Sequence, residues 1–157
     1  MTVADTFSWI EVGPFDGAAA SVVRAGVDRV ELDEFRRSVE VAGERFVGRI
    51  FTPAEIAHCA GRVDRLATRF AAKEAVTKML GTGKRGLSWL EIEVVTSPHG
   101  EPRLVLHDRA RGRAEVLGVT SISVSLTHTA VAAEAFVVAL CTAPDAEQWI
   151  EEETSHV

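Results

Sequence analysis

Apolar positions along the chain change their period several times, and each change marks an element. Residues Ser21 to Val27, rich in valine, read as a short strand that leads into Asp28. A helix follows, with Leu32, Phe35 and Val39 on one stripe and a break at Gly43. Thr52-Pro53-Ala54-Glu55 has the form of a capping box with proline at the first helical position, so a new helix starts there and runs to about Gly61. The next helix is predicted over Asp64–Leu80, stopping at Gly81. Leu90–Thr96 and Arg103–His107 read as strands joined by the turn chemistry of residues 97–102. A short helix over Asp108–Leu117 precedes a second hairpin, Thr120–Thr127 with Ala132–Cys141. Hairpins mixed with helices, without repeated strand–helix–strand crossovers, predict an α+β domain with an antiparallel sheet packed against helices. The expected division is an N-terminal extension over residues 1–19, one domain over 20–142 and an acidic tail over 143–157.

The helix over Asp64–Leu80 carries the densest chemistry. At ~100° per residue its small and apolar positions fall on nearly every side, which predicts a buried helix. Buried charges need compensation, and four charged side chains sit on this one. Glu74 and Lys78 share a face at i,i+4, while Arg69 and Lys73 share another. Ala67, Ala71 and Ala75 beside Glu74 and Lys78 leave room of the kind a ligand needs. The plainer alternative is an internal ion pair. Gly81-Thr82-Gly83-Lys84-Arg85-Gly86 then makes a basic, glycine-bearing loop able to turn backbone N–H groups toward phosphate.

Composition narrows the classes. The chain has 157 residues, 46% of them hydrophobic and 25% charged, which suits one domain with its own core. A net charge of −6 argues against nonspecific nucleic-acid binding, which uses a broad basic surface. No segment approaches the roughly twenty apolar residues of a membrane helix, and the N-terminus does not read as a signal peptide. Cys59 and Cys141 form no spacing motif and are expected to be buried thiols in a cytoplasmic protein.

Gly26-Val27-Asp28 after a strand, Arg69-Phe70-Ala71-Ala72-Lys73-Glu74-Ala75-Val76-Thr77-Lys78, and Gly81-Thr82-Gly83 occur in that order. With Glu91-Ile92-Glu93-Val94, Gly100-Glu101-Pro102 and Val124-Ser125-Leu126-Thr127-His128-Thr129, they resemble the signature blocks of holo-acyl-carrier-protein synthases. The resemblance implies transfer of 4′-phosphopantetheine from coenzyme A to a serine of an acyl carrier protein, releasing 3′,5′-ADP. It implies Mg2+ held by Asp28 and Glu74, with Glu74 the candidate for taking the serine proton. It further implies phosphate contact by Lys78, and coenzyme A contacts by Arg69 and His128. Gly81, Gly83, Lys84 and Arg85 of the basic loop are further candidates for the phosphates, and Lys73 is expected at the edge of the coenzyme A site or as a structural charge. Arg36, Arg37 and Arg45 match the basic helix that meets the carrier protein, and members of this size are typically homotrimers. The competing class is a domain of the same fold that binds carrier protein or coenzyme A without turnover. The chain departs from the family at Arg24, where glycine is common, and in the acidic opening Glu31, Asp33 and Glu34 of the first helix. Each site residue also has an ordinary reading: Asp28 as a helix cap, His128 as a turn histidine, Arg69 as a partner of Asp64 or Asp33.

Overall fold

The computed structural model describes residues 21–83 and 86–142. The extension, the acidic tail, Lys84 and Arg85 therefore lie outside the described residues.

Strand β1 (Ser21–Glu31) runs antiparallel to β5 (Ala132–Thr142), which pairs in turn with β4 (Val119–His128). The sheet order is β1-β5-β4. A separate hairpin joins β2 (Ile92–Thr96) to β3 (Pro102–Leu106). Four helices, α1 (Leu32–Ile50), α2 (Pro53–Cys59), α3 (Val63–Leu80) and α4 (Asp108–Val116), complete the described fold.

The long sheet changes one expectation. Strand β1 does not stop at Val27; it continues to Glu31, because the whole run from Ser21 to Glu31 is paired with Thr142 to Ala132. Asp28 is thus a mid-strand residue opposite Ala135, and Glu31 holds the N-cap position of α1. A capping role for Asp28 is ruled out by that register. Helix α1 bends at Gly43, whose φ of 59° and ψ of −150° interrupt it, and then continues to Ile50. The capping box at Thr52 and Glu55 forms in full.

Helix α3 packs on β1 and β5 and passes through the centre of the molecule. Its alanines at 67, 71, 72 and 75 are all 0% exposed. They are contact surfaces and enclose no ligand space, contrary to the sequence expectation: a methyl group lets the helix backbone approach the sheet closely. One end of the core gathers Ala71, Ala75, Val76, Met79 and Leu80 against Val137, Ala139 and Cys141 of β5. The other gathers Leu32, Phe35, Ile50, Phe51 and Leu66 with Cys59. Both cysteines are free and buried.

The outer face of the sheet is different. Val23 sits opposite Leu140, and Val27 opposite Phe136, and these four side chains are exposed by 43–65%. Among the described residues no helix is long and apolar enough to cross a membrane.

Candidate active site

The site depends on how closely one strand can approach one helix. A Cβ on Gly26 would stand 2.0 Å from Ala75 O and 2.9 Å from Met79 N, so only glycine permits this crossing. Alternate residues of a strand share a face, and Arg24, Gly26 and Asp28 occupy the face of β1 turned to α3. The result is that Lys78 Nζ donates to Asp28 Oδ1 and to Val27 O, both at 2.8 Å. The Lys78 side chain remains about half exposed (51%), while Asp28 is more enclosed (17%). Glu74, 9% exposed, lies one turn before Lys78 on the same helix face. Lys78, expected to pair with Glu74 along the helix, thus takes its carboxylate partner from β1.

Lys73 is placed elsewhere. Its side chain is 0% exposed, and its ammonium donates to Glu55 Oε2 and Trp89 O, each at 2.9 Å, and to Ile92 O. All three N–H bonds are committed inside the protein. Of the two readings of Lys73, a place at the ligand's edge is not open to this buried group; the lysine holds α3 to α2 and β2 as a structural charge. Burial lowers its pKa from the ordinary lysine value, with Glu55 opposing the shift.

Arg69 pairs with neither Asp64 nor Asp33. It donates to Arg65 O at 3.2 Å and to Thr96 Oγ1 at 3.1 Å, and its buried Nε has no hydrogen-bond partner among the described residues. Asp64 is taken by Arg62 at 2.6 Å, and that hydrogen bond draws its carboxyl below the usual range despite partial burial. His128, at the end of β4, lies with Nε2 3.4 Å from Asp64 Oδ2. It shares with Arg36 and Arg62 an open groove of about 670 Å³. Arg36, Arg37 and Arg45 are exposed on α1, with the Gly43 bend between the second and third, and Arg36 reaches back to Asp33 at 3.0 Å. Gly81 caps α3 in the left-handed region (φ 71°), and Gly83 also has positive φ (56°).

Four groups outside the candidate site residues take structural roles. Beyond its part in the capping box, the Glu55 carboxylate accepts from Lys73 Nζ and, at 3.0 Å, from Val94 N–H. Glu93 accepts from Thr52 Oγ1 at 2.9 Å and lies 3.0 Å from His107 Nε2. Burial pushes the Glu93 carboxyl up, but the His107 and Thr52 hydrogen bonds and the nearby positive charge outweigh it and hold it below the usual value. Arg24 and Arg113 donate to the last carbonyls of α3. The Thr-Pro-Ala-Glu spacing signals Glu55; no local pattern signals the others.

The 4′-phosphopantetheinyl transferase superfamily matches residues 24–141. The chain belongs to this superfamily. The holo-[acyl-carrier-protein] synthase of Solibacter usitatus (strain Ellin6076) is 46% identical over 121 residues, 74% of this chain and 97% of that protein. Among solved structures, the Neisseria meningitidis holo-[acyl-carrier-protein] synthase is 36% identical with a TM-score of 0.67, covering 74% of this chain and 96% of its own. The Helicobacter pylori synthase, solved in complex with coenzyme A, is 32% identical with a TM-score of 0.67 and covers 73% and 98%. The α+β fold and the enzyme class expected from the sequence both hold: the chain is a transferase of the holo-acyl-carrier-protein synthase kind.

Proposed function

We propose that this enzyme moves the 4′-phosphopantetheine group of coenzyme A onto a serine of an apo acyl carrier protein, with magnesium, and releases 3′,5′-ADP. The observation that carries the reading is the Asp28–Lys78 contact created by Gly26, with Glu74 on the same helix face. The serine oxygen attacks the phosphorus that bears pantetheine, the phosphoanhydride bond breaks, and 3′,5′-ADP leaves with the electron pair. Glu74 is the candidate for taking the serine proton. Lys78, half exposed, can meet the negative charge of the phosphates while Asp28 stays beside it.

The donor chemistry fits magnesium. Among the described residues no cluster of three or more His, Cys, Asp or Glu could form a closed metal site. Two carboxylates, Asp28 and Glu74, match an ion that takes one or two protein oxygens and completes its shell with water and substrate phosphates. When bound there, magnesium supplies neutralisation of charge building on the pyrophosphate.

Arg69, with its unpartnered Nε, and His128 are the candidates for the nucleotide's 3′-phosphate. Arg36, Arg37 and Arg45 are the surface offered to an acidic carrier protein. The Val23–Leu140 and Val27–Phe136 pairs form an apolar patch that supports assembly with further copies of this chain, in the homotrimer the family resemblance implies. Two free thiols are consistent with a cytoplasmic location.

The test is mass spectrometry of apo acyl carrier protein incubated with coenzyme A, magnesium and this enzyme. A gain of the phosphopantetheine mass, lost in Glu74→Ala and on chelation of magnesium, is expected. Absence of the gain across several carrier proteins would overturn the reading.

A further inference from the structure

The end of α3 is completed from a distance. A helix leaves its last four carbonyls without partners of its own; here they belong to Thr77, Lys78, Met79 and Leu80. The local turn meets two: Gly81 N–H reaches Lys78 O and Thr82 N–H reaches Thr77 O, both at 3.1 Å. The other two are met by arginines. Arg24 Nε, from β1, donates to Met79 O at 2.9 Å, and Arg113 Nε, from α4, donates to Leu80 O at 3.2 Å. Arg24 also covers the turn itself, since its NH2 lies 3.2 Å from where a Cβ on Gly81 would stand. A glycine at position 24, common in the resembling family, could make neither contact.

Placement adds to this. Arg24 lies on the same face of β1 as Gly26 and Asp28, about 13 Å from Asp28 along the strand. One strand face therefore holds the Asp28–Lys78 pair at one point and clamps the start of the glycine segment at another.

We infer that Arg24 is a positioning residue for coenzyme A. It acts through the Gly81–Gly83 segment, fixing the conformation in which that segment meets the ligand's phosphates. A cationic donor at a helix C-terminus is favoured by the helix dipole, so the clamp is stable before any ligand arrives, and binding does not have to order the turn. The inference rests on the reading that coenzyme A binds beside Lys78.

Coenzyme A titration calorimetry and steady-state transfer assays on wild type, Arg24→Gly and Arg24→Gln test it. Glutamine keeps an N–H donor for Met79 O without the charge. Arg24→Gly is expected to raise Kd and KM for coenzyme A about tenfold or more, the scale of one hydrogen bond from a charged group. It should leave kcat and the carrier-protein KM within about twofold, and Arg24→Gln should recover most of the affinity. A Kd for Arg24→Gly within about twofold of wild type overturns the inference. So does a folded glutamine variant as weak as the glycine one, because the guanidinium would then act by its charge on the ligand. Should Arg24→Gly fail to fold, Arg24→Lys gives the same decision by amide hydrogen exchange. Faster exchange at residues 81–83 in step with weaker binding supports the clamp, and weaker binding with unchanged exchange removes it. Unchanged Arg24 variants beside an active wild type sink only this inference; a wild type that binds no coenzyme A sinks the site reading as well.

Discussion

Replacing Lys73 by methionine tests whether its buried hydrogen bonds to Glu55, Trp89 and Ile92 hold the fold together. Methionine keeps much of the stem volume and removes the ammonium, which in the native protein is fully enclosed beside a carboxylate that is itself 1% exposed. What remains is Glu55, still accepting from Thr52 N at 2.9 Å and Val94 N at 3.0 Å, with no positive partner. Stranding one member of a buried ion pair costs about 3–5 kcal/mol. The two surviving N–H donors place this case near the lower end, about 3 kcal/mol. For a domain of this size about 2–4 °C is lost per kcal/mol, so the midpoint should fall by about 6–12 °C. Calorimetry and urea unfolding followed by circular dichroism measure it. Adding Glu55→Gln to Lys73→Met removes the stranded charge, and the double variant should be more stable than Lys73→Met alone. Recovery is partial, because Thr52 and Val94 donate to different oxygens of Glu55, and the amide puts an NH2 donor in the place of one of them. The sign with pH follows as well. Burial lowers the Lys73 pKa from its ordinary 10.5, so the folded state releases that proton more readily than the unfolded chain. The associated stability penalty is complete below the lowered value and fades as pH rises toward 10.5; Lys73→Met abolishes that slope. A loss under about 1 kcal/mol, or a double variant less stable than Lys73→Met, would refute the account.

Gly26→Ala forces a methyl group to 2.0 Å from Ala75 O, backbone that cannot swing aside, so a loss of about 3 kcal/mol or more is expected, with activity falling in the surviving folded fraction. Thermal unfolding with a parallel transfer assay measures both, and a wild-type midpoint would show that the crossing is looser than described. Arg36→Glu with Arg37→Glu should weaken carrier-protein binding and flatten its salt dependence, as titrations at two ionic strengths would show. Unchanged carrier affinity would remove that helix from the partner surface. Glu93 has a folded pKa below its ordinary 4.5, so its contribution is present above that value and is lost as pH falls through the lower folded one. Glu93→Gln should flatten the stability profile below about pH 4.5; an unaltered acid limb would assign acid loss to other groups.

The elements legible in the sequence are those decided by neighbouring residues. The start of α2 follows from Thr52, Pro53 and Glu55, and the stop of α3 from Gly81, because each is a local hydrogen-bonding problem with a local solution. The hairpins follow from alternation on either side of turn residues. The true length of β1 was hidden, since Asp28 serves equally as a cap or a strand residue and only pairing with β5, over a hundred positions away, decides. The alanines of α3 are ambiguous in the sequence for a related reason. Small residues mark either an open space or a close contact, and sequence does not say which until the opposing element is known. Among the site residues, Asp28, Glu74 and Lys78 were singled out together from motif order, whereas Arg24 was visible only as a departure from the family.

The order of residues in α3 now has a physical explanation. Lys73 and Glu74 are adjacent, so at ~100° per residue they leave the helix in different directions. Lys73 is tied to Glu55, Trp89 and Ile92, three points on the α2 and β2 side of the molecule. Those ties set the rotation of the helix about its axis. Once that rotation is set, the direction of Glu74 is set too, and Lys78, one turn later on the same face, is brought against β1 at Asp28. Gly26 fixes the remaining freedom, the distance between strand and helix. The lysine–glutamate block thus joins an aiming charge to the carboxylate it aims. Moving Lys73 by one position would break its three ties and with them the rotation that brings Lys78 to Asp28.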